Sequence, residues 1–160
     1  MVNIIAGSCL MIASSYIGLG IYNYYKTRTK IFADYLAFIE FLINEISFVN
    51  ANLYEIIDAY TIRYDTHFGK LANQVKLCLQ KGENIVVKTN FLPSAERKQL
   101  QVFFRTITKL DKDSLISYFK REQVAIESRL KSLREDEAKN GMLAKNLGIL
   151  IGIGLLILVI

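Results

Sequence analysis

Two uninterrupted apolar stretches sit at the ends of the chain, and between them hydrophobic residues recur at helical spacing. The first, VNIIAGSCLMIASSYIGLGIY, fills positions 2–22. At a rise of about 1.5 Å per residue, some twenty residues span the roughly 30 Å of a bilayer's hydrocarbon core. The second, MLAKNLGILIGIGLLILVI at 142–160, does the same if Lys145 extends its ammonium group to the interface. No basic residue precedes the first stretch and no small-x-small cleavage site follows its apolar run, so an uncleaved transmembrane helix is expected rather than a signal peptide.

The middle reads as helix throughout. Phe32, Ile39, Ile46 and Leu53 recur every seven residues, and Tyr35, Leu42, Val49 and Ile56 repeat the pattern three residues later. Phe38, Phe41 and Phe48 widen that face. The sequence Asn50-Ala51-Asn52 interrupts it, and a second helix is expected over about 52–66, with an Asn as N-cap and Glu55 in its first turn. A third spans 67–81, with Leu71, Val75, Cys78 and Leu79 on one side and Gly82 as its stop. Ile85-Val86-Val87 is β-branched but has no partner strand, so residues 83–92 are expected to be a loop tucked against the helices. Pro93 suits the first turn of a fourth helix, which turns Leu100, Phe103, Phe104, Ile107 and Leu110 inward. Asp111 caps a fifth helix over about 112–138, carrying Ile116, Phe119, Ile126, Leu130 and Leu133. The polar tract up to Gly141 reads as a solvated helical stalk with a kink at that glycine. The expected fold is therefore all-α: an antiparallel helical bundle over 23–141 between transmembrane helices at 2–22 and 142–160.

Charge placement orients this arrangement. The chain of 160 residues carries a net charge of +5, and every Lys, Arg, Asp and Glu lies between Lys26 and Lys145. Lys26, Arg28 and Lys30 follow the first span; Lys139 and Lys145 stand at the start of the second. The positive-inside rule then puts the helical bundle in the cytoplasm and both termini across the membrane.

Candidate chemistry is sparse. His67 is the only histidine, and a polar residue at a helix start explains it better than a general base or ligand does. Cys9 and Cys78 match no metal or redox spacing. There is no Gly-rich phosphate loop and no nucleophile elbow, so neither an enzyme nor a cofactor is expected. The basic residues are interleaved with acids and the aromatics take core positions, which argues against nucleic acid. Glu55 and Asp58, three apart on one helix, could meet a basic partner; Lys120, Arg121 and Glu127 offer a second charged face. Ser14 with Gly18, and Gly148 with Gly152, are small residues one helical turn apart, the spacing that lets membrane helices pack closely.

The whole chain resembles the stage III sporulation protein AB family of endospore-forming bacteria. NEISFVNANLYEIIDAY carries the likeness through Glu45, Ile46, Leu53 and Glu55; FFRTITKLDKDSL through Asp111; the last span through Leu147, Gly148, Leu150 and Gly152. Asn52 stands where the family often has proline, no glycine lies near Thr108, Leu115 replaces a glutamine, and tryptophan is absent. The resemblance implies a fold similar to the platform protein F of type II secretion. It also implies a non-catalytic role in the complex linking mother cell and forespore, on the mother-cell side of the outer forespore membrane. The implied partners are the stage III sporulation protein AA ATPase and other stage III proteins, with self-association left open. The alternative is a small two-span holin-like or transport-associated membrane subunit.

Overall fold

Seven-residue spacing along the first helix turns into burial. The computed structural model describes residues 2–48 and 53–159. The break at 49–52, with Val49 and the Asn cap expected there, lies outside the described residues, as do the side chains of Phe48 and Leu53. The elements are α1 (Val2–Phe48), α2 (Leu53–Arg63), α3 (His67–Gln80), α4 (Ser94–Ile107), α5 (Lys112–Asp136), a π-helical turn (Glu137–Gly141) and α6 (Met142–Val159). No strand occurs among the described residues. Contacts divide the chain into two compact units, one of residues 1–29 with 131–160 and one of residues 30–130. Residues 23–29 and 131–141 thus pack with the apolar ends.

In the second unit α1 supplies Phe32, Tyr35, Ile39, Leu42 and Ile46 at the expected period, all buried, with Ile31 and Phe38 beside them. Aromatic rings join the helices. Tyr35 stacks on Phe68 of α3 at 5.0 Å and meets Phe103 of α4 edge-on at 5.0 Å. Phe38 meets Tyr60 of α2 at 4.8 Å, and Phe103 lies 6.1 Å from Phe119 of α5. Each such pair contributes about 0.5–1.5 kcal/mol beyond the area it removes from water. Phe41 is half-buried against Tyr60. Between α3 and α4 the chain is extended without a partner strand: Ile85 and Val87 are buried, Val86 between them is exposed, and Leu92 is buried. That is the tucked loop the sequence predicts.

Local chemistry sets the helix ends. Gly82 has φ +66°, the left-handed value that glycine adopts without penalty just past a helix. Thr66 caps α3, accepting a hydrogen bond from the Gly69 amide at 3.0 Å. Asp111 accepts from the Ser114 amide at 3.2 Å to cap α5. Hydrogen bonds from Ser114 hold the Asp111 carboxyl below its usual range. Two expectations shift by one position. Pro93 is the residue before α4 rather than in its first turn: its ψ of 156° is extended, and its carbonyl accepts from the Arg97 amide at 3.0 Å. On α5, Leu115 is buried and Ile116 half-buried, although both stand within one turn of buried Phe119. Leu110, Cys78 and Leu79 are half-buried.

Most buried polar groups find partners; among the described residues the Arg97 Nε is buried without one. The Glu96 carboxylate, 5% exposed, meets the Arg129 guanidinium at 2.8 Å. The Tyr35 hydroxyl donates to Glu122 at 3.2 Å, and the Tyr60 hydroxyl donates to the Asp34 carbonyl at 3.1 Å. Burial pushes the Tyr60 phenol up to about 12. An unfolded tyrosine ionises near pH 10, so between about pH 10 and 12 the folded state holds a proton that the unfolded state has lost. The stability this confers is full below pH 10 and is lost as pH rises toward 12. Urea unfolding of the detergent-solubilised chain, followed by circular dichroism, should therefore show stability falling in that window. In Tyr60→Phe the slope should be shallower by up to about 1.4 kcal/mol per pH unit.

Candidate functional site

In the unit formed by the two ends of the chain, burial is inverted. Apart from Leu133 its buried residues are small, and many of its large apolar residues are exposed. Gly7, Gly18, Gly141, Gly148 and Gly152 are buried, while Ile4, Ile12, Ile17, Leu150 and Ile157 are exposed. A water-soluble helix pair places its isoleucines and leucines inside. Here they form the outer surface, which asks for an apolar surrounding.

The small residues let two helices meet backbone to backbone. A β-carbon on Gly148 would stand 2.9 Å from the Gly18 Cα and 2.9 Å from the Ser14 carbonyl. One on Gly18 would stand 2.7 Å from the Ala144 carbonyl, and one on Gly152 would stand 3.0 Å from the Met11 carbonyl. The Ser14 hydroxyl donates to the Gly148 carbonyl at 2.7 Å. Gly7 lies against Leu156 and Gly141 against Tyr22 and Tyr25, so residue numbers fall along α6 as they rise along α1. The Thr29 hydroxyl, buried, lies 3.1 Å from the Tyr25 carbonyl and 3.4 Å from the Leu133 carbonyl. Gly20 and Gly154 have nothing within 4 Å of a β-carbon position and face outward.

Of the basic residues expected to set topology, Lys26, Lys30, Lys139 and Lys145 are exposed and Arg28 is half-buried. Lys26 and Lys145 come together: their ammonium groups lie 5.9 and 5.7 Å from the centre of the Tyr22 ring. The charged residues singled out on α2 and α5 take separate partners. Asp58 forms an ion pair with Lys76, Arg121 lies over the Tyr118 ring at 5.6 Å, and Glu127 accepts from Gln123 at 3.3 Å. Glu55 and Lys120 are exposed.

His67 is exposed at the start of α3, its ring 5.9 Å from that of Phe91. It lines a cavity of about 190 Å³ with Lys30, Asp34, Asp65, Thr66 and Lys70. Burial raises the Asp34 carboxyl above its usual value, against hydrogen bonds from Thr66 and Phe68 and the charges of Lys30 and His67. Cys9 and Cys78 are free thiols. Among the described residues no group of three or more His, Cys, Asp or Glu side chains is placed to hold a metal ion.

Two helical stretches, Asn3–Ile46 and Asp113–Val159, are long and apolar enough to cross a membrane. Only 11% and 6% of their most apolar windows are buried within the chain, unlike the core helix of a soluble protein. A family model described as stage III sporulation protein AB matches residues 3–160. The chain belongs to that family. No curated protein and no solved structure matches it. Family and helices together fit a membrane protein with a part in sporulation.

For this stage III sporulation protein AB family member, the four-residue spacing in the sequence points to Ser14, Gly18, Gly148 and Gly152 but misses Gly7, Thr29 and Gly141. A longer period marks them. Gly7, Gly18 and Thr29 are spaced by eleven, as are Gly141 and Gly152. Eleven residues make three turns at 3.67 per turn, close to the period of a straight helix, so one face keeps pointing at its neighbour. The outward glycines supply a control. Gly148→Leu and Gly18→Leu should separate the helices and lower the melting temperature of the detergent-solubilised chain by several degrees. Gly154→Ala and Gly20→Ala, which meet nothing, should melt like wild type or slightly higher.

Proposed function

We propose that the chain is a non-catalytic membrane platform of the complex that joins mother cell and forespore. In this reading both apolar ends span the membrane, residues 23–141 form an antiparallel helical bundle in the cytoplasm, and that bundle docks the stage III sporulation protein AA ATPase. The observation that carries it is the match of the sporulation family to essentially the whole chain, spans and helical body alike. The inverted burial at the two ends supports the membrane anchoring. Lys26, Arg28, Lys30, Lys139 and Lys145, flanking the spans on their charged side, support the cytoplasmic orientation. A holin-like subunit would rest only on small size and the glycine spacing, and the family match gives it no support.

A platform needs surfaces rather than reacting groups. Docking is assigned to the exposed charges of α5, Lys120, Arg121 and Glu127, and to Glu55 and Asp58 on α2. Surface charges of this kind set partner choice and association rate more than they set affinity. Ser14, Gly18, Gly148 and Gly152 are assigned to holding the two spans together.

Deleting the gene should stop spore formation after engulfment, and a copy supplied in trans should restore it. From detergent extracts of sporulating cells, the tagged chain should bring down the ATPase. Reversing both charges, Lys120→Glu with Arg121→Glu, should reduce its recovery about tenfold. A deletion strain that sporulates at the wild-type frequency would remove the proposal.

A further inference from the structure

Two lysines from opposite ends of the sequence converge on one tyrosine. Helical side chains lean toward the N-terminus of their own helix. Lys26 stands one turn after Tyr22 on α1 and therefore leans back toward it. Lys145 stands one turn after Gly141, where a β-carbon would stand 3.4 Å from the Tyr22 ring. Because α1 and α6 run in opposite directions here, Lys145 also leans back toward Tyr22. The ammonium groups end 5.9 and 5.7 Å from the ring centre, so they lie under about 12 Å apart.

Neither Lys26 nor Lys145 makes an ion pair among the described residues. Both are exposed, at the place where the charged part of the chain gives way to the apolar spans. A tyrosine face attracts a single ammonium by about 0.5–1 kcal/mol, but it does not neutralise two. A β-carbon at Gly141 would stand 3.4 Å from the Tyr22 ring, so the glycine leaves room for the ring close to the backbone.

We propose that Lys26, Lys145 and Tyr22 form a binding site for a phosphate monoanion, presented at the membrane surface by an anionic phospholipid headgroup. The two ammonium groups supply charge-assisted hydrogen bonds to phosphate oxygens, and the tyrosine hydroxyl supplies another donor. The site rests on the membrane-spanning reading above. It goes beyond that reading by assigning a specific lipid class to a specific pair of residues, one from each span.

The test uses the full chain reconstituted into vesicles of equimolar phosphatidylcholine and phosphatidylglycerol. The protein is released in mild detergent, and retained lipid is read by native mass spectrometry. Wild type should retain phosphatidylglycerol preferentially. Lys26→Gln and Lys145→Gln should each lower that preference about fivefold. Tyr22→Leu should lower it as well, whereas Lys139→Gln, which removes an exposed charge away from the ring, should leave it unchanged. Excess inorganic phosphate should not displace the lipid; if it does, the ligand is soluble phosphate and the lipid assignment fails. Equal losses from Lys139→Gln and Lys26→Gln would mean diffuse attraction rather than a site. Flotation of wild type with vesicles of phosphatidylcholine alone separates the two layers of the argument. Failure to insert overturns the membrane reading along with the site, while insertion without lipid preference overturns only the site.

Discussion

Backbone contact at Gly18 and Gly148 is the constraint on which one half of this molecule depends. Lipid tails are as apolar as leucine, so burying leucine between two spans gains little over leaving it in the membrane. What remains is close packing and hydrogen bonding. Dispersion falls steeply with separation, and removing the β-carbons brings two full rows of backbone atoms into contact. The Ser14 hydroxyl adds a hydrogen bond to a helix carbonyl in the same gap. Most of the isoleucines and leucines are turned outward, which suits an apolar surrounding.

The other unit solves the opposite problem. Phe38, Phe68, Phe103, Phe104 and Phe119 are removed from water almost completely, and their rings tie α1, α3, α4 and α5 together. Glu96 and Tyr35 enter this core with partners, Arg129 and Glu122. Such groups fix which packing is adopted rather than perform a reaction. One chain thus carries two kinds of packing: small residues inside where the surroundings are apolar, and large ones inside where they are aqueous.

Much of the helical body was legible because burial follows period. Phe32, Tyr35, Ile39, Leu42 and Ile46 could be placed from spacing alone, and Gly82 and Asp111 marked helix ends by their own chemistry. Leu115 and Ile116 are adjacent and equally apolar, so pattern alone could not choose between them. Pro93 could end a loop or begin a helix, and its extended ψ decided the matter by one residue. The glycine contacts were only partly legible. A four-residue motif names a pair, but Gly7 and Gly141 acquire meaning only once the facing helix is known. The meeting of Lys26 and Lys145 at Tyr22 depends on residues far apart in sequence, and no local signal announces it. Surface charges on α2 and α5 follow no period, which is why the sequence names candidates there without bringing them together.

The π-helical turn at Glu137–Gly141 has a consequence of its own. Leu133 and Gly141 both face the first helix, yet eight residues separate them, and two ordinary turns take only about seven. The wider turn absorbs the surplus residue, so α6 begins with its glycines aimed at the neighbouring helix instead of rotated away by about a quarter-turn. The tract therefore works as an expansion joint: it takes up one residue locally, and the facing surfaces on either side keep their alignment.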